Sequence, residues 1–310
     1  MSADIVVVGS LNMDMVMGVA RRPAKGETVL GSDFFLNPGG KGANQAYAAC
    51  RLGAKVAMIG KVGDDLFGGQ LLEHLHLAGV DVSNVERVSH LATGVAAITV
   101  DPEGDNSIVV APGANGELRP ADIRLREAAI SQAKLLMLQL EIPMETVVEA
   151  AQIAKRHNVP VLLDPAPAQP LPEGLLQLVD YIVPNQSEIE ELTGIAAWNE
   201  ASAVLAAEHL RARGVDTVFA KLGDKGVAVV GRSEIFSVRN YRVEAVDTTA
   251  AGDAFAGALA AALVSGEDLR EAAGFANAVG AITVTRRGAQ SSMPDLEETK
   301  RFMQSAKKGD

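Results

Sequence analysis

The sequence predicts an α/β fold in three layers, with helices on both faces of a mainly parallel sheet and a small second sheet beside it. Short aliphatic runs alternate with helical stretches over most of the 310 residues, which is the pattern of buried parallel strands joined by helices. Glycines follow several helical stretches, where a left-handed C-terminal cap is expected. Residues 13–37 and 93–112 lack this alternation and predict extended segments with turns.

The alternation defines the elements of the main sheet and its helices. The expected strands cover residues 5–8, 56–59, 135–140, 159–163, 181–183, 217–220 and 227–230. The expected helices cover residues 42–52, 68–78, 144–157, 188–193, 200–213, 254–264 and 269–285. The candidate capping glycines are Gly53, Gly79, Gly194 and Gly214.

The two exceptional stretches predict the small sheet. Residues 94–100 are typical of a strand, and Asp101-Pro102-Glu103-Gly104 predicts the turn after it. Such a sheet serves as a lid, or packs against the same sheet of another subunit. Because no repeat, low-complexity tract or long linker interrupts the sequence, we expect residues 1–310 to form one domain that includes this lid.

The composition excludes several classes of function. The net charge of −11 argues against a surface for nucleic acid or an anionic membrane, since both require clustered positive charge. No apolar stretch reaches the roughly 18–20 residues of a membrane span, and the first residues lack a signal-peptide pattern. The single cysteine, Cys50, cannot form an intrachain disulfide, which fits a reducing compartment. We therefore expect a soluble cytoplasmic protein.

The most informative pattern lies at the start of the helix expected over residues 254–264. Ala250, Ala251 and Gly252 precede a lone carboxylate, Asp253. The first turn of a helix presents unpaired N–H groups and the positive end of the dipole, and small residues let an anion approach them. An anion site beside a base indicates phosphoryl transfer to an alcohol. The alternative is that Asp253 only caps the helix.

Polar residues follow the expected strands in unusual number. Asn12 and Asp14 come after the first strand and project to the same side if this segment is extended. Glu141, Asp164 and Asn185 follow three other strands. One polar residue at a strand end is usually a turn or a cap, but ligands of open parallel sheets bind at these ends. Five such residues on one edge predict a shared cleft.

A glycine-rich segment, residues 38–45, opens a helix. Its glycines permit close backbone approach to a ligand, and Lys41 and Asn44, three residues apart, can face one ligand. Neither a Walker A motif nor a G-x-G-x-x-G fingerprint is present.

Two further segments carry alternative interpretations. Glu188 in Asn185-Gln186-Ser187-Glu188 either holds Mg²⁺, directly or through water, or completes a capping box with Asn185. Residues 221–226 lie between two expected strands and form either a plain hairpin turn or a loop over a nucleotide. The five histidines and Cys50 form no pattern of metal ligands.

In this order and spacing, the motifs resemble the ribokinase group of the phosphofructokinase-B-like carbohydrate kinases, from residue 5 to about residue 294. The motifs that carry the resemblance are Gly9-Ser10-Leu11-Asn12-Met13-Asp14, Gly39-Gly40-Lys41-Gly42-Ala43-Asn44-Gln45-Ala46, Leu138-Gln139-Leu140-Glu141, Asp164-Pro165-Ala166-Pro167-Ala168, Pro184-Asn185-Gln186-Ser187-Glu188, Asp247-Thr248-Thr249-Ala250-Ala251-Gly252-Asp253 and Thr285-Arg286-Arg287-Gly288-Ala289-Gln290.

The resemblance implies roles for individual residues. Asp253 is the expected base, with an anion hole of backbone N–H groups around Ala251 and Gly252. The residues expected to hold the sugar are Asn12, Asp14, Gly40, Lys41, Asn44 and Glu141. Those expected to contact ATP are Asn185, Lys221, Leu222, Gly223, Asp224, Lys225, Gly226 and Asn277.

The resemblance also implies two cations and a dimer. Glu188, with Asn185, organises Mg²⁺ and its waters. The expected K⁺ ligands are the side chains of Asp247 and Ser292 and the backbone carbonyls of Thr249, Thr283, Arg286 and Gly288. The small β-sheet lid is expected to form the contact of a homodimer.

The reaction that the resemblance implies is transfer of the γ-phosphoryl group of ATP to the 5-hydroxyl of D-ribose. A carboxylate of ordinary pKa, about 4, cannot fully deprotonate an alcohol beforehand, so Asp253 is expected to orient the hydroxyl and take its proton late. The alternatives are a deoxyribokinase, a kinase for fructose or a nucleoside, and a sugar-binding regulator without activity.

Two positions depart from the commoner pattern of the group. Ala250 stands where Gly is commoner, but an added methyl need not abolish an anion hole made of backbone groups. Gln186 stands where many members have Glu, which removes one charge near the metal.

Overall fold

The computed structural model describes residues 3–102 and 106–306. Glu103 and Gly104 of the predicted turn lie outside the described residues. The described chain contains a nine-stranded sheet and a separate four-stranded sheet. The predicted α/β class, with helices around a mainly parallel sheet and a small second sheet, is confirmed.

Each predicted strand and helix overlaps an observed one. The strands are β1 (Ile5–Val8), β2 (Asn12–Val19), β3 (Gly31–Gly39), β4 (Val56–Gly63), β5 (Asp81–Val88), β6 (Gly94–Val100), β7 (Asn106–Ala111), β8 (Leu135–Leu138), β9 (Val161–Leu163), β10 (Tyr181–Ile182), β11 (Thr217–Lys221), β12 (Val227–Val230) and β13 (Ile235–Val238). The helices are α1 (Lys41–Arg51), α2 (Leu66–Leu77), α3 (Pro120–Arg124), α4 (Glu127–Ser131), α5 (Met144–Arg156), α6 (Gln186–Thr193), α7 (Glu200–Ala212), α8 (Ala251–Ser265), α9 (Leu269–Thr283) and α10 (Leu296–Ala306).

The nine-stranded sheet has the order β13-β12-β11-β10-β9-β8-β1-β4-β5. The strands from β11 to β5 pair in parallel, and β12 and β13 add an antiparallel edge. Parallel neighbours end at the same edge of a sheet. The polar residues that follow β1, β8, β9 and β10 are therefore brought together.

The sheet separates two hydrophobic cores. Ile5 and Val7 of β1 point into the core that contains α1, α2, α8 and α9, whereas Val6 and Val8 point into the core that contains α5 and α7. The continuous apolar run of β1 is explained by this burial on both faces. Among the described residues, no helix is both long and apolar enough to span a membrane.

The small sheet has the order β3-β2-β6-β7, and β2 pairs in parallel with β6. Its strands come from the two stretches that the sequence singled out. β1 of the main sheet leads after three residues into β2 of the small sheet. This connection places the small sheet beside the carboxyl edge of the main one.

Helices α1 and α8 pack very closely at Gly257. A Cβ on Gly257 would lie 2.6 Å from Ala48 Cβ and 2.7 Å from the carbonyl oxygen of Gln45. Glycine is required here by the close approach of another backbone. The contact holds the first turns of the two helices, which carry Asn44 and Asp253, against each other.

We expect Gly257→Ala to lower the free energy of unfolding by about 1–3 kcal/mol, because the added methyl overpacks the contact between the helices. Gly274→Ala is the matched control, since a Cβ there has its nearest neighbour 4.0 Å away. That control should raise stability by about 0.5–1 kcal/mol, as expected for Ala within a helix. Urea denaturation measures both, and equal effects of the two substitutions would contradict the packing argument.

Candidate active site

A polar pocket lies where β1 leads into β2. Asn12 and Asp14 project from the same face of β2, as their spacing predicted. Asn12 Nδ2 lies 3.5 Å from Glu141 Oε2. A Cβ on Gly39 of the neighbouring strand would lie 2.2 Å from Asp14 Oδ2, so this carboxylate fits only beside glycine. The pocket combines an amide and two carboxylates, which can bind neighbouring hydroxyls.

Glu141 fixes the start of α1 against the strand ends. Its Oε2 accepts hydrogen bonds from Ser10 Oγ at 2.6 Å and from the backbone N–H of Lys41 at 3.1 Å. Gly40, which precedes α1, has a φ of +89°, and a Cβ on it would lie 2.6–2.9 Å from backbone atoms of residues 10–12. The glycine-rich segment thus lies directly against the polar pocket.

The carboxyl group of Asp14 lies in an environment that disfavours its charge. Burial raises the pKa of Asp14 to about 7, with the nearby carboxylates of Glu141 and Asp253 adding to the shift and Lys41 opposing it. Asp14 therefore changes its charge near neutral pH.

Asp253 lies in the first turn of α8 and is almost completely buried. Ala250 occupies the N-cap position, so the alternative in which Asp253 caps the helix is wrong. The Asp253 carboxylate faces α1, where Asn44 Nδ2 donates to Oδ2 at 2.9 Å and Gln45 Nε2 donates to Oδ1 at 3.2 Å. Burial raises the pKa of Asp253, and Lys41 opposes this shift. A buried carboxylate of raised pKa is suited to accept a proton from a hydroxyl.

Lys41 keeps its positive charge among these carboxylates. Burial alone would lower the pKa of its ammonium group. The negative charges of Asp253, Asp164 and Glu141 outweigh burial and raise that pKa above its ordinary value.

Asp164 connects the surroundings of Asp253 to a second lysine. It follows β9 and is fully buried. Asp164 Oδ2 accepts from Gln45 Nε2 at 2.8 Å, and Asp164 Oδ1 lies 3.4 Å from Lys221 Nζ. The amide of Gln45 thus bridges the carboxylates of Asp164 and Asp253.

Asn185 and Glu188 form the capping box of α6. The backbone N–H and Nδ2 of Asn185 donate to the two carboxylate oxygens of Glu188 at 2.7 and 2.8 Å, and Glu188 N donates to Asn185 Oδ1 at 2.9 Å. Both residues also line a cavity. Their capping role is therefore compatible with contact to a ligand in that cavity. Burial raises the pKa of Glu188, Lys221 opposes the shift and Asp164 adds to it. Gln186 donates from Nε2 to Ala197 O at 2.7 Å, which a glutamate could not do.

A cavity of about 1000 Å³ extends from Lys41 and Asp253 along the carboxyl edge of the sheet. This volume suits a ligand of nucleotide size. The predicted nucleotide-site residues that line it are Asn185, Lys221, Gly223, Asp224, Gly226 and Asn277. Ala251 and Gly252, at the start of α8, also line it.

Two predicted nucleotide-site residues lie elsewhere. Leu222 packs in the hydrophobic core, and Lys225 Nζ donates to Trp198 O at 2.9 Å. The segment from 221 to 226 is a hairpin connection between β11 and β12, and it also forms a wall of the cavity. Its role as a loop over a nucleotide stays a prediction.

The residues expected around K⁺ lie in loops next to α8 and α9. Asp247 joins two of these loops, because its Oδ1 accepts from Thr249 N and its Oδ2 from Gly288 N, both at 2.9 Å. Although burial would raise the pKa of Asp247, these hydrogen bonds hold it below its usual value. The site therefore keeps a carboxylate charge. Within the described part of the chain, no group of three or more His, Cys, Asp and Glu side chains is arranged to hold a metal ion.

The other three expected K⁺ residues are held by local contacts. The hydroxyls of Ser292 and Thr283 donate to backbone carbonyls three and four residues earlier, and Arg286 forms an ion pair with Glu298 of α10.

Several residues of the site were not assigned a role from the sequence. Ser10, Gln45 and Asp164 belong to the quoted motifs, but their contacts link positions more than 30 residues apart. The cavity wall around Tyr241 and Arg242 comes from irregular backbone, which has no periodic signal.

Comparisons with known proteins identify the family. Residues 2–296 match the sequence model of the pfkB family carbohydrate kinases. The chain belongs to this family of carbohydrate kinases. It is 44% identical to a ribokinase of Haemophilus influenzae, over 99% of this chain and 100% of the relative. It is 38% identical to a deoxyribokinase of Salmonella typhi, over 97% and 98% of the two chains.

This carbohydrate kinase also resembles solved structures. A ribokinase of Arabidopsis thaliana, complexed with ribose and ATP, matches with a TM-score of 0.91 and 33% identity, over 98% of this chain and 99% of that one. The resemblance inferred from the motifs is therefore confirmed over nearly the whole length.

We expect Asp14→Asn to raise the free energy of unfolding of this kinase at pH 8. The unfolded pKa of Asp is about 4, so the neutral form of buried Asp14 stabilises the fold fully below that value, and this contribution is lost as the pH rises through about 7. The gain of the variant should reach at most about 4 kcal/mol above pH 7 and vanish near pH 4.

Urea denaturation from pH 4 to pH 8 measures this difference. Asp33→Asn, at an exposed position of β3, is the control and should follow the wild type. A constant difference between Asp14→Asn and the wild type over this range would contradict the assignment.

Proposed function

We propose that this kinase transfers the γ-phosphoryl group of ATP to the 5-hydroxyl of D-ribose. The observation that carries the proposal is the position of Asp253, at the N-terminus of α8 between a polar pocket and a cavity of nucleotide size. The similar proteins of Haemophilus influenzae and Arabidopsis thaliana are named ribokinases, and the second was solved with ribose and ATP. These names support the choice of sugar.

The polar pocket supports binding of a sugar with several adjacent hydroxyls. Asp14 and Glu141 accept hydrogen bonds from hydroxyls, and Asn12 can both donate and accept. We place the sugar against these three residues, with Gly40, Lys41 and Asn44 closing the pocket.

Asp253 acts as the base that orients the attacking hydroxyl. Burial raises the pKa of the Asp253 carboxyl group, which makes it a better proton acceptor. An alcohol is still a much weaker acid than this carboxyl group, so the proton is transferred late, as the bond to phosphorus forms. The backbone N–H groups of Ala251 and Gly252 lie at the positive end of α8 and stabilise the charge on the transferring group. Lys41, which stays protonated, adds a second positive charge.

ATP occupies the cavity along the carboxyl edge. We place the phosphates of ATP near Asn185 and Lys221. Lys221 contacts Asp164, and the amide of Gln45 links Asp164 to Asp253, so Lys221 lies at the end of the cavity next to the proposed base. Asn277 lies farther along. Its Nδ2 donates to Val238 O and Arg239 O, and among the described residues no donor is paired with its Oδ1, which can therefore accept from a ligand.

The residues present fit both expected cations. Glu188 and Asp164 are buried carboxylates on the cavity wall, which suit Mg²⁺ bound largely through water and phosphate. Asp247 supplies one carboxylate to a loop otherwise rich in carbonyl oxygens, a donor set that suits K⁺. When bound, Mg²⁺ screens the phosphate charges, and K⁺ orders the loop before α8.

Deoxyribose is the second candidate sugar, because a deoxyribokinase is 38% identical to this chain. The two sugars differ by one hydroxyl, so the same residues fit both. The cytoplasm stays the predicted location.

We expect MgATP in K⁺ buffer to phosphorylate D-ribose with a higher kcat/KM than 2-deoxyribose, fructose or adenosine. Asp253→Asn should lower kcat by roughly 100-fold or more, because it removes the base. ADP release measures both results. A higher kcat/KM for another acceptor would contradict the assignment of D-ribose as the substrate. A near-normal kcat in Asp253→Asn, with sugar binding retained, would refute the role of Asp253.

We expect the rate to fall when K⁺ is replaced by a bulky organic cation, because the loop of Thr249 would lose an ordering ligand. Asp247→Asn should lower the activation by K⁺ and leave the requirement for Mg²⁺ unchanged. Equal rates in K⁺ and in the organic cation would contradict the assigned site.

We further propose that the small sheet is a lid that forms a homodimer contact. The strand register places Asp14 on one face and Phe34, Leu36 and Val109 on the other. Phe34 and Val109 are 57% and 72% exposed. An apolar face of this kind suits burial against a second copy.

We expect Val109→Glu to shift the protein from dimer to monomer, because the new charge would be buried at the interface. Leu125→Glu, at an even more exposed apolar position outside the small sheet, is the control and should leave the mass unchanged. Light scattering after size exclusion measures both, and a dimer that tolerates Val109→Glu would exclude this face.

A further inference from the structure

Four side-chain amides surround Asp253 in two tiers. The inner tier is Asn44 and Gln45, which donate to the two carboxylate oxygens. The outer tier is Gln290 and Gln139, which lie 246 and 94 residues away along the chain from their inner partners. Gln290 Nε2 donates to Asn44 Oδ1 at 3.0 Å, and Gln139 Nε2 donates to Gln45 Oε1 at 2.6 Å.

The charge of Asp253 determines the orientation of every amide in this arrangement. A carboxylate only accepts hydrogen bonds, so Asn44 and Gln45 must turn their NH₂ groups towards it. Their oxygens then point outwards and require donors. Gln290 and Gln139 must therefore present NH₂ groups as well, and their own oxygens point away from the site.

This orientation is unfavourable for the side-chain oxygens of the two outer amides. Among the described residues, neither Gln139 Oε1 nor Gln290 Oε1 makes a hydrogen bond of ordinary geometry, although both are buried. Leaving a buried acceptor without a hydrogen bond is unfavourable. His74 lies next to Gln290, and its contact with that amide opposes the lowering of the His74 pKa by burial. Fixed amides with unpaired oxygens are unexpected unless the orientation itself is needed.

The space for Gln139 is created by a glycine. A Cβ on Gly9 would lie 2.1 Å from Gln139 Oε1, so the amide occupies the volume that a side chain would fill. Gln45 and Gln139 have no measurable exposure, and Gln290 is 2% exposed. Neither outer amide lines the cavity. Among the described residues, the side-chain hydrogen bonds that link the outer amides to the site are those to Gln45 and Asn44.

We propose that Gln139 and Gln290 are positioning residues, which lock the amides of Gln45 and Asn44 so that the Asp253 carboxylate is held towards the acceptor hydroxyl. This proposal rests on the proposed role of Asp253 as the base. Gln139 acts through Gln45, which contacts Asp253 and Asp164. Gln290 acts through Asn44, which also lies in the proposed sugar pocket.

The test compares Glu and Met at both outer positions. Met keeps the volume but cannot donate, so Gln139→Met and Gln290→Met should lower kcat roughly 10- to 100-fold. For Gln139→Met, KM for ATP and for ribose should stay within about twofold of the wild type. Glu donates only when protonated, so Gln139→Glu and Gln290→Glu should lose kcat with rising pH beyond any loss in the wild type. Gln152→Glu, at an exposed position of α5, is the control and should follow the wild-type pH profile.

Each outcome distinguishes a positioning role from a structural one. A packing role would lower the free energy of unfolding but leave the kcat–pH profiles of the Glu variants parallel to that of the wild type, which would overturn the proposal. If the Glu variants do not fold, wild-type kcat in the folded Met variants would overturn it equally. Asp253→Asn separates the two proposals: loss of activity there, with no effect at residues 139 and 290, refutes the positioning role alone.

Discussion

The crowding of carboxylates around Lys41 is the constraint on which the rest of the site depends. Asp14, Glu141, Asp164 and Asp253 come from separate parts of the chain, and each would be more stable in water. Burial and mutual repulsion raise the pKa of Asp14 and of Asp253, whereas Lys41 opposes both shifts. The fold must supply the free energy that keeps these groups together, and the two apolar cores on either side of the sheet do so.

The contact between α1 and α8 determines how the groups meet. Gly257 allows the two helix backbones to approach, so that Asn44 and Gln45 reach the carboxylate of Asp253. Ala250, immediately before α8, has a φ of +57°, in the left-handed region that favours glycine. The departure from the commoner Gly at this position therefore carries local backbone strain, and the N–H of the next residue, Ala251, donates to Thr248 O at 3.3 Å.

The sequence was sufficient to predict the class of the fold, because the signals for that class are local. Buried strands such as β1 and amphipathic helices such as α5 have periodicities that are visible within about ten residues. β5 was missed because it is an edge strand of mixed polarity, and α3 and α4 were missed because five residues are too few for a helical period. The polar residues at the strand ends were predicted to share a cleft, since parallel strands must end together.

The sequence by itself determined the class of the fold, the polar edge of the sheet and the residues in its motifs. The periodicity of apolar residues and the spacing of motifs can be read from residues that are close together in the sequence. Only the tertiary structure decided that Asp253 faces α1 rather than capping α8, and that Leu222 packs in the core. It also decided which amides surround the carboxylate. Gln139 and Gln290 meet their partners only after the sheet and helices have packed, and no pattern of neighbouring residues encodes a contact across that distance.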